Sequence, residues 1–313
     1  MQYRDLRTWL NLVAEMGELK IINGANWDLE IGVLAEHVMR AKQEPAVIFD
    51  QIVDYPAGYR ILINESGSRK RAALTLGLPV DLDEPGLIQA WREKRKSIRP
   101  IPPEYVKDGA IFENVLKGDD IDMWKFPTPR WHEHDGGRYL GTGDAIITRD
   151  RENNSMNMGT YRVMVHDKGH IFVYISPSHD GRIHRDKWFA NNEPMPVVAV
   201  FGMDPLLHMV GGWSLPHGQF EIDFAGGIKG EPIRVVEGPV TGLPIPADAE
   251  IAVEGFVMPD DRRPEGPFGE WTGYYGSGAR EEPVVQVKAL YHRNDPIILG
   301  SPPVKPPSGK VYM

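Results

Sequence analysis

Residues 284–291 read Val-Val-Gln-Val-Lys-Ala-Leu-Tyr, in which Val285, Val287, Ala289 and Tyr291 alternate with Gln286, Lys288 and Leu290. A period of two sends successive side chains to opposite faces, so this stretch predicts a half-buried strand. Outward from it, short apolar runs recur at residues 145–148, 161–165, 171–175, 197–201, 233–236 and 251–257, separated by Gly, Asn, Asp and Pro. A helix near residues 183–191 interrupts them. Many short strands at such spacing predict a barrel or a sandwich. The first hundred residues have another texture. Leu6, Trp9, Leu10 and Val13 follow helical spacing between Asp5, a candidate N-cap, and Gly17, a stop. Ile31, Leu34, Ala35 and Val38 repeat that spacing, and apolar runs at 46–49 and 61–63 follow the helices. This is the pattern of a small α/β unit. A third helix near residues 87–91 runs into Arg92, Lys94, Arg95, Lys96 and Arg99, read as a solvated helix end. Pro100, Pro102 and Pro103 then mark a linker.

Composition narrows the classes. The 313 residues carry a net charge of −9, with 41% hydrophobic and 25% charged residues, as in ordinary globular domains. No run approaches the ~20 apolar residues of a membrane-spanning helix. Arg4, Asp5 and Arg7 interrupt the start where a secretory leader would build its apolar core, so a cytoplasmic protein is expected. The acidic balance argues against a dedicated nucleic-acid binder. With no cysteine, thiolate metal sites and cysteine nucleophiles are excluded. The 33 Gly and 27 Pro, without a repeat period, indicate a turn-rich β protein.

Polar residues gather in turns of the second half. Asn157-Met-Gly-Thr-Tyr-Arg162 leads into a strand, and Ser176-Pro-Ser-His179-Asp-Gly leaves one. Gly226-Gly-Ile-Lys-Gly-Glu231 has glycines that allow close backbone approach to a ligand, but not the spacing of a P-loop. An Asn carbonyl, a His nitrogen and a Glu carboxylate are a donor set suited to Mg²⁺ or Mn²⁺. In Pro264-Glu265-Gly-Pro-Phe-Gly-Glu270-Trp271, two acids flank a turn whose Phe268 and Trp271 would wall them from water. Burial of that kind keeps a carboxylic acid protonated near neutral pH, while a nearby Arg would hold the second one ionised. In Arg130-Trp-His-Glu-His-Asp-Gly-Gly137, His132 and His134 could ligate a metal from one strand face, although a glycine-ended loop is the simpler reading.

Read in order, these segments resemble the UbiD family of decarboxylases that use prenylated FMN. The resemblance runs from Tyr3-Arg-Asp-Leu-Arg and Gly17-Glu-Leu-Lys20 through Pro127-Thr-Pro, His134-Asp-Gly-Gly137-Arg-Tyr, Asn157-x4-Arg162, Ser176-Pro-x-His179 and Gly230-Glu231 to Glu265-Gly-Pro-Phe-Gly-Glu270. It implies an α+β chain: an N-terminal α/β domain over residues 1–115, then a split β-barrel resembling flavin reductases over 116–300, which binds prenylated FMN. Residues 301–313 would be a Pro-rich tail where the family's C-terminal domain begins. By the same resemblance, Asn157, His179 and Glu231 would hold Mn²⁺ or Mg²⁺ at the flavin phosphate, with K⁺ close by. Gly159, Thr160, Tyr161, Arg162, Ser178 and His179 would line the cofactor. Arg162, Glu265 and Glu270 would form a Glu-Arg-Glu network in which Arg162 steers the substrate carboxylate, Glu265 tunes or relays charge and Glu270 protonates carbon. The implied activity is reversible, non-oxidative decarboxylation of an aromatic, heteroaromatic or α,β-unsaturated acid by a homo-oligomer whose cofactor comes from a flavin prenyltransferase. Three other readings stand beside it: an FMN-dependent oxidoreductase on the same barrel, a non-catalytic subunit or fragment of a decarboxylase complex, and a metal hydrolase built on His132 and His134.

Overall fold

A computed structural model describes residues 2–41 and 45–306; the predicted tail beyond residue 306 lies outside the described residues. The architecture is α+β. Helix Leu6–Glu15 begins where the Asp5 side chain accepts the Thr8 N–H and Thr8 in turn accepts the Asp5 N–H, a reciprocal cap. Its stripe of Leu6, Trp9, Leu10 and Val13 packs on Ala46, Ile48 and Leu62 of a four-stranded sheet. Three strands of that sheet are Leu19–Asn23, Ala46–Asp50 and Arg60–Ile63, and the fourth, Ile297–Gly300, lies parallel to Arg60–Ile63. The first sheet is therefore completed by the far end of the chain.

The large sheet has nine strands. Eight run in the order Arg138–Gly141, Val163–Asp167, His170–Val173, Arg280–His292, Ile251–Glu265, Met195–Phe201, Asp144–Arg149 and Met156–Gly159. The ninth, Asn114–Lys117, pairs with the far end of Arg280–His292. All its pairings are antiparallel. Along Met195–Phe201 every residue is buried, because both faces are covered. Val197, Ala199 and Phe201 enter one apolar core. Val198 and Val200 enter a second, beneath helices Pro205–Gly211 and Glu221–Lys229. The same covering buries Leu290, which alternation alone had placed with the polar face.

The sequence pattern ended the strand begun at Ile251 near Val257, yet it continues to Glu265. Beyond Val257 it leaves the core and pairs as a two-stranded ribbon with residues 280–283, so no apolar alternation marks it. The predicted strand near residues 233–236 forms, as Arg234–Glu237, but in a separate three-stranded sheet with Pro244–Pro246 and Glu104–Tyr105. No helix among the described residues is long and apolar enough to cross a membrane.

The two sheets are joined electrostatically at Glu250, whose side chain is fully buried. It accepts two hydrogen bonds from the Arg7 guanidinium, at 2.9 and 2.8 Å, one from Arg293 at 3.3 Å and one from the Ile297 N–H at 3.2 Å. Glu250→Ala would leave both arginines without their shared counter-charge. The stability loss should fall at the lower end of the ~3–5 kcal/mol typical of a broken buried pair, because Arg7 keeps some solvent. A denaturant midpoint unchanged from wild type would show that this junction is not a fastening point.

Candidate active site

Strand Met156–Gly159 ends at a glycine because a Cβ on Gly159 would lie 2.5 Å from the Tyr161 ring. The backbone is pinned on both sides of Tyr161. Thr160 N–H donates to Gly211 O at 3.3 Å, and Arg162 O accepts from Tyr174 N–H at 3.1 Å. This fixes the root of the Arg162 side chain. Its guanidinium donates to both oxygens of Glu265, Nε at 3.0 Å and Nη2 at 2.7 Å, in the two-pronged geometry that suits arginine and carboxylate. The Glu265 side chain is 1% exposed. The guanidinium carbon lies 4.3 Å from the Tyr174 ring centroid and 5.7 Å from that of Phe268. Tyr139 O–H donates to Glu265 at 3.1 Å, and burial together with the Glu265 charge pushes the phenol far above its usual range, so it remains a donor. Burial works against the Arg162 charge, but Glu265 outweighs it and holds the group protonated.

Glu270 sits five residues beyond Glu265 on the turn that follows. Its N–H donates to Tyr274 O at 3.1 Å, and its carbonyl accepts from Gly273 N–H at 2.9 Å. The Glu270 carboxylate is half-buried and makes no hydrogen bond or ion pair with the described residues, so the Arg162 pairing here is with Glu265 alone. The predicted aromatic walls divide. Phe268 is buried against Tyr139 with centroids 4.0 Å apart, whereas Trp271 is 73% exposed and walls nothing.

Residues 157–161, just before Arg162 in the chain, line a cleft of about 230 Å³. Asn157, Gly159, Thr160, Tyr161, Ser178 and His179 all line it, so the structure brings together six of the residues expected to meet a cofactor. Arg162 is not among its lining residues, and neither is Glu231. Glu231 lies just past the end of helix Glu221–Lys229 and lines another depression with Arg4, Asp5 and Arg234. The carboxylate that does line the cleft is Glu221, at the opposite end of the same helix, roughly 15 Å away at 1.5 Å per residue. The expected Asn157, His179 and Glu231 are thus not gathered at one cleft; the acid that lines it with Asn157 and His179 is Glu221. The glycines beside Glu231 had suggested a ligand loop. Instead Gly226 and Gly227 lie inside the helix, where a Cβ would meet Ile101 O at 2.7 Å and Arg99 O at 2.4 Å: the close approach is to the chain itself. An acid in the first turn of a helix was the available signal for Glu221. Nothing in the sequence pointed to residues 211–215, which complete the cleft.

Glu221 accepts the Met158 N–H at 2.7 Å, and burial pushes its carboxyl up to about 7. The His179 imidazole makes no hydrogen bond among the described residues and meets the Tyr161 ring edge-on at 5.7 Å. Asn157 Nδ2 donates to Tyr161 Oη at 3.4 Å, which leaves its carbonyl oxygen available. No cluster of three or more His, Cys, Asp or Glu side chains suited to a metal occurs among the described residues. Both ring nitrogens of His132 are engaged, by Asp135 and the Pro303 carbonyl, and the His134 ring lies tilted with its centroid 5.9 Å from that of Tyr275.

Comparison with known proteins gives the following. Residues 10–91 match the 3-octaprenyl-4-hydroxybenzoate carboxy-lyase N-terminal domain, and residues 104–306 match the Rift-related domain of the same UbiD family. A phenolic acid decarboxylase of a Streptomyces species is 31% identical over 304 residues, which cover 95% of this chain and 63% of that protein. A pyrrole-2-carboxylic acid decarboxylase of Pseudomonas aeruginosa is 30% identical, over 96% of this chain and 62% of its own. Among solved structures, the closed form of the vanillic acid decarboxylase of Sedimentibacter hydroxybenzoicus superposes with a TM-score of 0.89 at 31% identity, covering 96% of this chain and 65% of that one. An evolved dimeric UbiD-class enzyme of Pelotomaculum thermopropionicum, in complex with prFMN, gives 0.86 at 26% identity, over 96% and 68% of the two chains. The chain thus spans a little under two thirds of the curated relatives it matches.

Asp144, on the strand that pairs with Met156–Gly159, supplies a test of this architecture. It is fully buried, one of its oxygens has no partner, and burial raises its pKa to about 8. In the unfolded chain an Asp titrates at about 3.9. Between these values the folded state binds the proton more tightly, so this contribution to stability is complete below the lower value and is lost as pH rises to the upper one. Asp144→Asn retains the shape and one acceptor oxygen of the side chain but cannot ionise. Its thermal midpoint should exceed that of wild type at about pH 8–9, and the gap should close toward about pH 4. A gap that does not vary with pH would assign the titration elsewhere.

Proposed function

The chain belongs to the UbiD family, and we propose on that premise that it forms the catalytic part of a prenylated-FMN-dependent decarboxylase acting reversibly on an aromatic, heteroaromatic or α,β-unsaturated carboxylic acid. The observation that carries this reading is the buried, two-pronged Arg162–Glu265 pair, whose arginine directly follows the cleft-lining segment 157–161 in the chain. The similar proteins named as decarboxylases of phenolic acids and of pyrrole-2-carboxylic acid, and the similar structure holding prFMN, support the substrate class and the cofactor.

Loss of CO₂ leaves an electron pair on an unsaturated carbon. When bound, prenylated FMN supplies the electron sink that no side chain offers. The chain's own residues do the rest. Arg162 has a face turned from Glu265 with which to orient a carboxylate, and Glu265 fixes its plane so that orientation costs little at the moment of reaction. Tyr139 and Phe268 keep water from the pair. Glu270, not engaged by any described side chain, is the donor that delivers a proton to the carbon.

For the cation, Asn157 and Glu221 offer hard oxygen donors and His179 a nitrogen, a set that fits Mn²⁺ or Mg²⁺. A buried carboxylate with no counter-charge fits a site completed by a cation. The flavin phosphate would be held there, with K⁺ close by. A flavin prenyltransferase as supplier and assembly as a homo-oligomer belong to the same proposal.

The direct experiment is co-production of the full-length protein with a flavin prenyltransferase, followed by the spectrum and mass of what it binds and an assay for CO₂ release. Reduction of bound flavin by NAD(P)H without decarboxylation would favour an oxidoreductase. In the loaded enzyme, Glu270→Gln should lower kcat by about 10²–10⁴-fold, the usual contribution of a positioned acid. Near-wild-type turnover would remove Glu270 as the donor. In flavin-free protein, Glu221→Gln should abolish the thermal shift produced by Mn²⁺ and Glu231→Gln should retain it; the reverse pattern would restore Glu231 as ligand.

A further inference from the structure

The turn that carries Glu270 has few bonds of its own, yet its two flanks are gripped by one carboxylate outside it. The Asp135 side chain is fully buried. Its Oδ1 accepts Gly269 N–H at 3.1 Å, immediately before Glu270, and Tyr275 O–H at 3.4 Å, five residues after it. Its Oδ2 accepts the backbone N–H of His132 at 2.9 Å and lies 3.1 Å from His132 Nδ1. The other ring nitrogen of His132 lies 2.9 Å from Pro303 O. Both ring nitrogens thus face acceptors, which suits an imidazolium. Burial alone would lower the His132 pKa, but Asp135 and the Pro303 carbonyl outweigh it and raise it. The contact is close along its length. Gly136 N–H donates to Pro267 O at 2.8 Å, and a Cβ on Gly136 would fall 1.9 Å from Gly266 O.

We propose that Asp135, oriented by His132, is a positioning residue that fixes the Glu270 turn relative to Arg162. The inference rests on Glu270 being the proton donor. Without the clamp, the segment keeps outside bonds only at Pro267 and Tyr275, from the Gly136 and His134 N–H groups and the Tyr139 hydroxyl, and nothing outside it holds Gly269 beside Glu270. With the clamp, one anionic group draws N–H and O–H donors from both flanks. Bonds to a charged acceptor are stronger than neutral ones, and a buried acceptor has no water to compete with them. Asp135 touches neither Arg162 nor the cleft, so its removal should disturb proton delivery more than substrate capture.

The test compares Asp135→Ala, Asp135→Asn and Tyr275→Phe in the full-length, cofactor-loaded enzyme. Asp135→Ala should lower kcat by about 10²-fold with KM within about threefold of wild type, the pattern of a misplaced reacting group. Asp135→Asn keeps an acceptor oxygen and should recover about tenfold of that loss, while Tyr275→Phe should cost less than about tenfold. Amide exchange of the full chain without cofactor provides an independent reading: residues 266–275 should exchange faster in Asp135→Ala, and strand Met195–Phe201 should not change. Unchanged exchange of the turn, a rise in KM at constant kcat, or an Asn variant as impaired as the Ala variant would each overturn the proposal. If loaded wild type releases no CO₂, the functional reading falls, and the exchange comparison still decides whether Asp135 places the turn.

Discussion

Arg162 and Glu265 are 103 positions apart in the chain, yet they share two hydrogen bonds where both are nearly out of water. Burying either charge there without the other would be unfavourable, because desolvating an unpaired charge costs several kcal/mol in effective terms. Each therefore depends on the other, and both depend on whatever brings two remote strand ends together. Glu265 closes the ribbon that extends strand Ile251–Glu265 beyond the core, while Arg162 precedes strand Val163–Asp167. Between them lie strands Arg280–His292 and His170–Val173, so the ion pair is set by the register of consecutive antiparallel ladders. A slip of one residue would turn Glu265 to the opposite face.

That register is held by two apolar cores on the two faces of the large sheet. Strand Met195–Phe201 contributes to both, which gives it no tolerance for sliding in either direction. The helix Glu221–Lys229 closes one face, and the same packing that seats Ile222, Ala225 and Ile228 delivers Glu221 to the cleft at its first turn. Packing and site are in this sense one arrangement: the helix is held by its apolar stripe and presents its first polar residue to the cleft.

Much of this could be read in advance where the chemistry is local. Periodicity indicated the first helix and its Asp5 cap, the α/β character of the first hundred residues and most strands of the large sheet, because burial of one face imprints a repeat on neighbouring residues. The clustering of Asn157, Thr160, Tyr161, Ser178 and His179 around one cleft also agrees with the reading of their turns. The errors fall where distant segments meet. Glycines at 226 and 227 carry the same letter whether they admit a ligand or a neighbouring backbone. Trp271 looks like a wall when only its neighbours in sequence are known, and stands exposed once the fold is drawn.

By itself the sequence determined an acidic, cysteine-free α+β chain, the kinds of side chain available for carboxylate recognition and proton donation, and an ordered set of motifs typical of one family. Only the tertiary structure decided that Glu221 rather than Glu231 lines the cleft with Asn157 and His179, that Glu265 is the acid paired with Arg162, and that Asp135 bonds both His132 and the Gly269 N–H beside Glu270. The physical reason is range. Helical and strand periods are written in residues three or four and two apart, whereas an ion pair, a ligand set or a clamp is formed by groups whose nearness exists only after the sheets have closed.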